Sequence, residues 1–374
     1  MRAYIVLTTI NVPHLLKEYG ENLEKFGHKN EVGFIVIADL KTPAEAKSVC
    51  DELSAKGFEA IHMDVNSQKE WLKKFPELEK LIPYNSDNRR NIGFLVALEK
   101  GAEMIISIDD DNFVKPDEDW FAYHNIVGNT HEFEMVESSD GWFNVCTLLE
   151  TIPNRTIYAR GYPHSKRWKN TEIKRSRVSK KIVMNLGLWN ETPDTDAVTQ
   201  LQEPVKVIGD NSKKIILAKG TNSPINTQNT AVHRDVLPTY YYILMGFVIN
   251  GNKIDRYGDI WSGYFAKKVI DHIGDAVAVG GPIVNHIRNP HNFLKDLREE
   301  LAGMILTESL ISILDTIQLT SKTYIESYRE LGEKLQEVVK NHKEFDYETK
   351  EYFYHIVNGM KVWADVCEKI IRGS

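Results

Sequence analysis

Apolar positions in this chain alternate between two periods, and the alternation predicts an α/β fold. Residues 4–9 (YIVLTT) and 33–38 (GFIVIA) are short β-branched runs, while apolar positions across 12–26 recur at helical spacing, so the chain opens as a βαβ unit. Residues 44–56 predict an amphipathic helix and 58–65 a further strand; 68–82 is mixed helical and ends at the breaker Ile82-Pro83-Tyr84-Asn85-Ser86. A helix over 88–100 then feeds 104–108 (MIISI), a continuous apolar run of the kind a strand buried on both faces requires.

Beyond the run, 114–137 reads as polar and irregular, with Trp120, Phe121 and Tyr123 as packing groups, and 140–149 returns to strand character. Residues 158–168 form a loop rich in cations and aromatics, 169–181 a solvated basic stretch, and 184–201 a segment with few regular signals. Strands are expected at 214–219 and at 226–232, the latter leading into a helix; 239–249 is apolar enough to be core. A helix over 256–273 and a strand over 277–284 that runs on to His286 follow, and from about 292 the spacing is helical throughout. The expected organisation is a sheet flanked by helices over 1–300 and a helical carboxyl-terminal extension over 301–374, without repeats or low-complexity linkers.

Charge narrows the function. Charged residues make up 26% of the 374 positions and the net charge is −7, with no basic stripe to neutralise a long phosphate backbone, so nucleic acid is not the expected partner. A small phosphorylated ligand needs only a few local Arg and Lys. Cys50, Cys146 and Cys367 form no CxxC pair, which suits a reducing compartment. No apolar run approaches a membrane span and the sequence starts on a strand-like segment rather than a basic-then-apolar leader, so a cytoplasmic protein is expected.

Candidate chemistry begins where 104–108 delivers Asp109, Asp110 and Asp111 to a strand's carboxyl end, the place where open α/β sheets bind ligands. Adjacent carboxylates repel unless something neutralises them, and a divalent cation bridging to a diphosphate does so; a solvated acidic turn is the plainer alternative. The start of the 88–100 helix places Arg89 and Arg90 beside free backbone N–H groups, a phosphate-binding arrangement. Asp39, after the second strand, is either a ribose or base ligand or a cap before Pro43. Thr8-Thr9-Ile10-Asn11 lacks the glycines of a dinucleotide fingerprint, so neither flavin nor NAD is expected.

These residues, with others further along, resemble the plant reversibly glycosylated polypeptides, which act as UDP-arabinopyranose mutases, and their microbial sugar-nucleotide mutase relatives. The resemblance runs from about 85 to about 301 through Arg90-Asn91, Ile108 to Asp111, Arg160-Gly-Tyr-Pro163 with Ser165 and Arg167, and Gly187-Leu-Trp189. It continues through Pro193-Asp194 with Asp196, Thr199-Gln-Leu201, Lys219-Gly-Thr221, Arg256-Tyr257 with Asp259 and Trp261, Asp271-His272, and His286. The chain departs from the plant pattern at His164 and Lys166, at Asn226-Thr-Gln, and at Gly258, where an acid is common.

The resemblance implies a GT-A-like fold and a flavin-independent mutase that interconverts pyranose and furanose forms of a UDP- or GDP-sugar with Mn²⁺ or Mg²⁺. Carried over residue by residue, it puts Asp109, Asp110 and Asp111 on the metal and Arg160 and Arg167 at the reacting sugar, to which the positions of the residues add His286 at a strand end as a metal ligand and Asp259 at a helix start as the group that steers or deprotonates a sugar hydroxyl. Arg90, Asp109, Tyr162, Arg256 and Trp261 are then the expected substrate-binding set. Asp259 is a base, or a carboxylate in a helix's first turn; His286 is a metal ligand, or an ordinary strand-end histidine. Two rivals stand beside the mutase: a glycosyltransferase or self-glycosylating protein on the same donor site, and a non-catalytic binder that assembles through its carboxyl-terminal helices. A homo-oligomer is compatible with each.

Overall fold

Four parallel strands, β1 (Ala3–Thr9), β2 (Val32–Ala38), β3 (Ala60–Met63) and β4 (Met104–Ile108), lie in the order β3-β2-β1-β4. The computed structural model describes residues 2–210, 213–289 and 292–373. Helices α1 (Leu15–Lys25), α2 (Ala46–Ala55), α3 (Val65–Leu72), α4 (Pro76–Glu79) and α5 (Arg90–Glu99) make the crossovers, as the opening periodicity predicts. Every residue of β4 is buried, which is why its sequence shows a run rather than an alternation.

The middle of the chain is more regular than its sequence suggests. Where 114–137 reads as irregular, the structure has the end of β5 (Asn112–Val114), then α6 (Trp120–His124), then β6 (Thr130–Ser138). The Asp119 carboxylate caps α6 by accepting from the Ala122 N–H at 3.0 Å, and Trp120 and Phe121 pack into the core. The strand expected at 140–149 is instead a turn and a short 3-10 segment, with a single bridge from Trp142 to Asn222 and a strand only at β7 (Leu149–Ile152).

The basic stretch and the segment with few signals are joined in one long strand, β8 (Ile173–Glu191), followed by α7 (Ala197–Gln202). Its first half is exposed and pairs with β6, where Arg177 reaches Glu132 at 2.8 Å and Arg175 reaches Glu134. Its second half runs between β11 (Asn229–His233) and β14 (Ala276–His286) and is buried from Val183 to Trp189. Burial on both faces removes the period-2 signal there, and Asn185 and Gly187 weaken it further.

The remaining strands are β9 (Lys206–Asp210), which pairs with β7, β10 (Ile215–Leu217), and a two-residue ribbon of β12 (Val248–Ile249) with β13 (Asn252–Lys253). After β11 comes a 3-10 turn over Leu237–Thr239 in place of the expected helix, since Pro238 cannot donate to one. Residues 240–243 are buried without regular structure.

Helices α8 (Gly258–Ile273), α9 (Phe293–Thr316), α10 (Tyr324–Asn341) and α11 (Tyr347–Gly373) complete the fold. The carboxyl-terminal region is helical, and it shares one continuous core with the sheet. The Trp363 indole donates to the Leu237 carbonyl at 3.1 Å, and the Phe353 ring stacks on Trp261 at 6.0 Å. The division expected between 300 and 301 falls inside α9, whose buried Glu300 accepts from the Ala197 N–H at 2.8 Å.

Candidate active site

Strand direction gathers the site. β4 and β8 both run antiparallel to β11, and β14 runs parallel to β8. The carboxyl ends of β4, β8 and β14 therefore meet the amino end of β11 along one edge of the sheet. Backbone hydrogen bonds stitch that edge: Asp109 N–H to the Gln228 carbonyl at 3.2 Å, Ile287 N–H to the Asp111 carbonyl at 3.0 Å, and Thr192 N–H to the His286 carbonyl at 3.3 Å.

A cavity of about 180 Å³ opens at this edge. Asp87, Asp109, Asp111, Asp194 and Asp259 line it together with Arg160, Arg256, Arg288 and His286. A second cavity of about 270 Å³, lined by Thr8, Thr9, Asp39, Asn85, Arg89 and Asp110 among others, shares Asp87 with the first.

The three consecutive acids face three ways. Asp109 accepts from the Arg90 guanidinium at 2.5 Å, and Asp110 accepts from the Thr9 hydroxyl at 2.6 Å and the Asn11 amide at 3.0 Å. Asp111 alone turns toward His286, with Oδ2 and Nε2 3.3 Å apart. The expected four-residue metal set is thus not one cluster, and among the described residues no three His, Cys, Asp or Glu side chains form a complete cage. The chain turns between β4 and β5 here, with Asn112 N–H donating to the Asp109 carbonyl at 3.3 Å, and the turn splays the three side chains apart.

Asp111 and His286 do fit a divalent cation. His286 Nδ1 lies 2.6 Å from the Thr192 carbonyl, so Nδ1 carries the proton and the neutral ring offers its Nε2 lone pair. A lone pair then faces a carboxylate oxygen, an arrangement that asks for a positive charge between or on them. Burial lowers the His286 pKa, but the Asp111 carboxylate outweighs burial and raises it.

Arg160 is fully committed. Its Nε and Nη2 donate to Asp194 at 2.9 and 3.0 Å, and its Nη1 and Nη2 donate to Asp259 at 3.2 and 3.0 Å. Nη1 also donates to the Arg256 carbonyl, so all five guanidinium N–H groups have protein acceptors. Asp194 accepts in addition from the Asn226 amide at 2.8 Å. Burial pushes the Asp194 carboxyl up, but Arg160 and Asn226 overcome it and hold the pKa down at about 2.

The loop that carries Arg160 needs its glycine. Gly161 has φ +88°, and a Cβ there falls 2.3 Å from Ile260 Cγ2, so helix α8 can sit against the loop only if the residue is glycine. Gly258 is similarly constrained, since a Cβ there lies 2.4 Å from the Ile243 carbonyl oxygen. The acid common in the plant pattern has no room at that position.

Other expected site residues are placed as follows. Arg256 lines the cavity and donates to Glu300 at 3.0 Å from Nε. Arg90 donates to Thr8, Ser107, Thr227 and Asp109, so it anchors the acidic strand end rather than standing free for phosphate. Arg89 is buried and donates twice to Gln68. Arg167 bonds the Tyr162 carbonyl and Asp196, and neither Arg167 nor Tyr162 lines the cavity. Trp261 is core, with its indole N–H on Thr307 at 2.9 Å. Asp39 bridges loops by accepting from Leu40 N–H at 2.7 Å and Ser86 N–H at 3.1 Å while lining the second cavity.

Sequence reasoning missed Arg288, Asp87, Asp194 and Tyr242. Arg288 is the cavity's unspent cation: its side chain is 9% exposed, and its Nη1 is buried without a hydrogen-bond partner. Its nearest acid contact is Asp296 at 3.8 Å, and burial lowers its pKa. An orphaned guanidinium N–H in a polar cavity marks where an anionic ligand oxygen belongs.

A family model for reversibly glycosylated polypeptides matches residues 10–371. The chain belongs to the reversibly glycosylated polypeptide family. Among curated members, it is 29% identical over 296 residues to probable UDP-arabinopyranose mutase 4 of Arabidopsis thaliana, spanning 77% of this chain and 73% of that one. UDP-arabinopyranose mutase 1 of Oryza sativa subsp. japonica is 28% identical over 299 residues, with 77% and 73% covered. Glucosyl-3-phosphoglycerate synthase from Mycobacterium tuberculosis, solved with Mn²⁺ and UDP-glucose, aligns at a TM-score of 0.39 and 11% identity over 82% of this chain and 78% of its own. S. aureus TarS 1–349 with UDP-GlcNAc aligns at 0.38 and 11% over 100% and 93%.

Proposed function

We propose that this family member is a nucleotide-sugar mutase that interconverts the pyranose and furanose forms of a sugar while it stays in the site with its nucleotide diphosphate. The observation that carries the reading is one cavity lined by both the Asp111–His286 pair and Arg288, next to a second cavity of about 270 Å³ with which it shares Asp87. The membership and the mutase names of the relatives support it.

Asp111 and His286 would hold a divalent cation, with diphosphate and water oxygens completing its shell. Bound there, such an ion supplies Lewis-acid stabilisation of the departing diphosphate. Arg288 donates to a phosphate oxygen, and Arg160 fixes Asp194 and Asp259 as a rigid wall against the sugar hydroxyls. Asp39 and the end of β1 line the space for the nucleoside. No redox step is required, since the ring change exchanges one C–O bond for another at the same carbon.

The test is incubation of the purified protein with UDP-arabinopyranose, then with a panel of UDP- and GDP-sugars, in Mn²⁺, Mg²⁺ or chelator and without acceptor. Chromatography should show a ring-contracted nucleotide sugar that disappears in chelator. Turnover only on addition of an acceptor alcohol identifies a transferase instead.

A further inference from the structure

Ring change under the mutase reading needs a proton carrier, and four of the five cavity carboxylates are already engaged by nitrogen donors or by His286. Asp109 accepts from Arg90, Asp194 from Arg160 and Asn226, and Asp259 from Arg160 through both oxygens, while Asp111 faces His286. Asp87 is different. Its Oδ2 accepts from the Tyr242 hydroxyl at 2.6 Å, and among the described residues no cation pairs with it.

Its position is also particular. Asp87 lines both cavities, at the passage between the nucleoside-sized space and the wall formed by Arg160 and Asp259. Asp87 itself is exposed, between the buried Asn88 and the half-buried Ser86. Tyr242 is pinned: the Asn88 and Asn91 side-chain amides donate to its backbone carbonyl at 2.6 and 2.8 Å, and its N–H donates to Asn91 Oδ1 at 2.9 Å. The Arg90-Asn91 pair of the sequence thus secures, from one helical turn, both the acidic strand end and the phenol that holds Asp87.

We propose that Asp87, oriented by Tyr242, is the catalytic residue that takes the proton from the hydroxyl becoming the product's ring oxygen and returns it to the oxygen that leaves the ring. The assignment rests on the mutase reading above. In the first half, that hydroxyl oxygen forms a bond to the anomeric carbon as the diphosphate departs with its C–O pair, and the proton passes to Asp87. In the second half, a diphosphate oxygen re-forms its bond to that carbon and the original ring C–O bond breaks with the pair on oxygen. That oxygen recovers the proton from Asp87, so charge, protons and electrons balance over the cycle.

The groups facing Asp87 suit the task. Desolvation by the surrounding protein raises its pKa; the Tyr242 hydroxyl and Arg90 oppose this, Asp255 and Asp259 reinforce it, and the net shift is upward. A carboxyl moved toward neutrality accepts and returns a proton more readily than one held ionised by an arginine, as Asp194 is.

The experiment compares wild type, Asp87→Asn and Tyr242→Phe on UDP-arabinopyranose with Mn²⁺, following furanose product against pH and UDP affinity by calorimetry. Asp87→Asn should keep UDP affinity, lose about 10²- to 10⁴-fold in kcat and lose the acid limb of the profile. Tyr242→Phe should keep measurable turnover with its acid limb moved to higher pH, because the carboxylate has lost a stabilising donor. If Asp87→Asn fails to fold, an unmoved limb in Tyr242→Phe overturns the assignment by itself. An active wild type with Asp87→Asn still turning over overturns Asp87 alone. A wild type that contracts none of the UDP-sugars overturns the mutase reading and this assignment with it.

Discussion

Arg160 and Asp259 meet face to face, Nη2 to Oδ2 at 3.0 Å and Nη1 to Oδ1 at 3.2 Å, while the opposite edge of the same guanidinium holds Asp194. A planar fork with five donors is the one side chain able to hold two carboxylates and a carbonyl at once. The resemblance implies a role for Arg160 at the reacting sugar. In the structure its guanidinium is spent on Asp194 and Asp259, the two acids it positions in the cavity wall.

Arg160→Ala should therefore act first on stability. Two buried carboxylates lose their partner, and breaking a buried pair costs about 3–5 kcal/mol. Urea unfolding should show the loss, and Arg160→Lys, which restores charge without the fork, should recover only part of it. An unchanged urea midpoint with loss of nucleotide affinity alone would show instead that Arg160 is a ligand anchor.

The acidic strand end makes a graded prediction. Asp111→Asn and His286→Ala should each weaken Mn²⁺ binding in the presence of UDP, measured by electron paramagnetic resonance of free Mn²⁺, by roughly tenfold or more. Asp110→Asn should leave Mn²⁺ affinity nearly unchanged, since its partners are Thr9 and Asn11. Equal loss in all three variants contradicts the separation of the acids.

Arg288→Ala should raise the Kd for UDP by about 10- to 100-fold, the equivalent of the roughly 1.5–3 kcal/mol of a hydrogen bond to a charged group. The folded protein should be no less stable, because burial of an unpartnered guanidinium N–H is itself costly. Unchanged UDP affinity would remove Arg288 from the phosphate site.

Sequence periodicity was sufficient wherever an element has one apolar face or is wholly buried and short, as in β1, β2, β4 and α8. It failed over β8, whose exposed half looks like a charged loop and whose buried half lacks alternation. At the site, the acidic run pointed to Asp109 and Asp111, strand-end and helix-start positions to His286 and Asp259, and the resemblance to Arg160 and Arg256, and all six line one cavity. Arg288 and Asp87 carry no local pattern. Their significance lies in what fails to pair with them, and pairing across 100 or more positions is invisible along a chain. Trp261, Tyr162 and Arg167 belong to the same motifs but support the cavity wall from behind, and a motif does not separate a ligand contact from its scaffold.

Asp194 yields a pH prediction with a definite sign. Its folded pKa of about 2 lies below the usual 3.8, so the ionised form is favoured by folding. That contribution is fully present above about pH 4 and is lost as pH falls toward 2, with a size on the order of 2 kcal/mol. Wild type should lose stability across this window by chemical unfolding at fixed pH, more steeply than Asp194→Asn, which has no carboxyl there to protonate. At neutral pH Asp194→Asn should be the less stable of the two, because Arg160 then keeps only Asp259 as an ionic partner. Identical acid profiles for the two proteins would show that the Arg160–Asp194 pair contributes nothing to stability, and the acid-labile group would have to be sought among the other buried carboxylates.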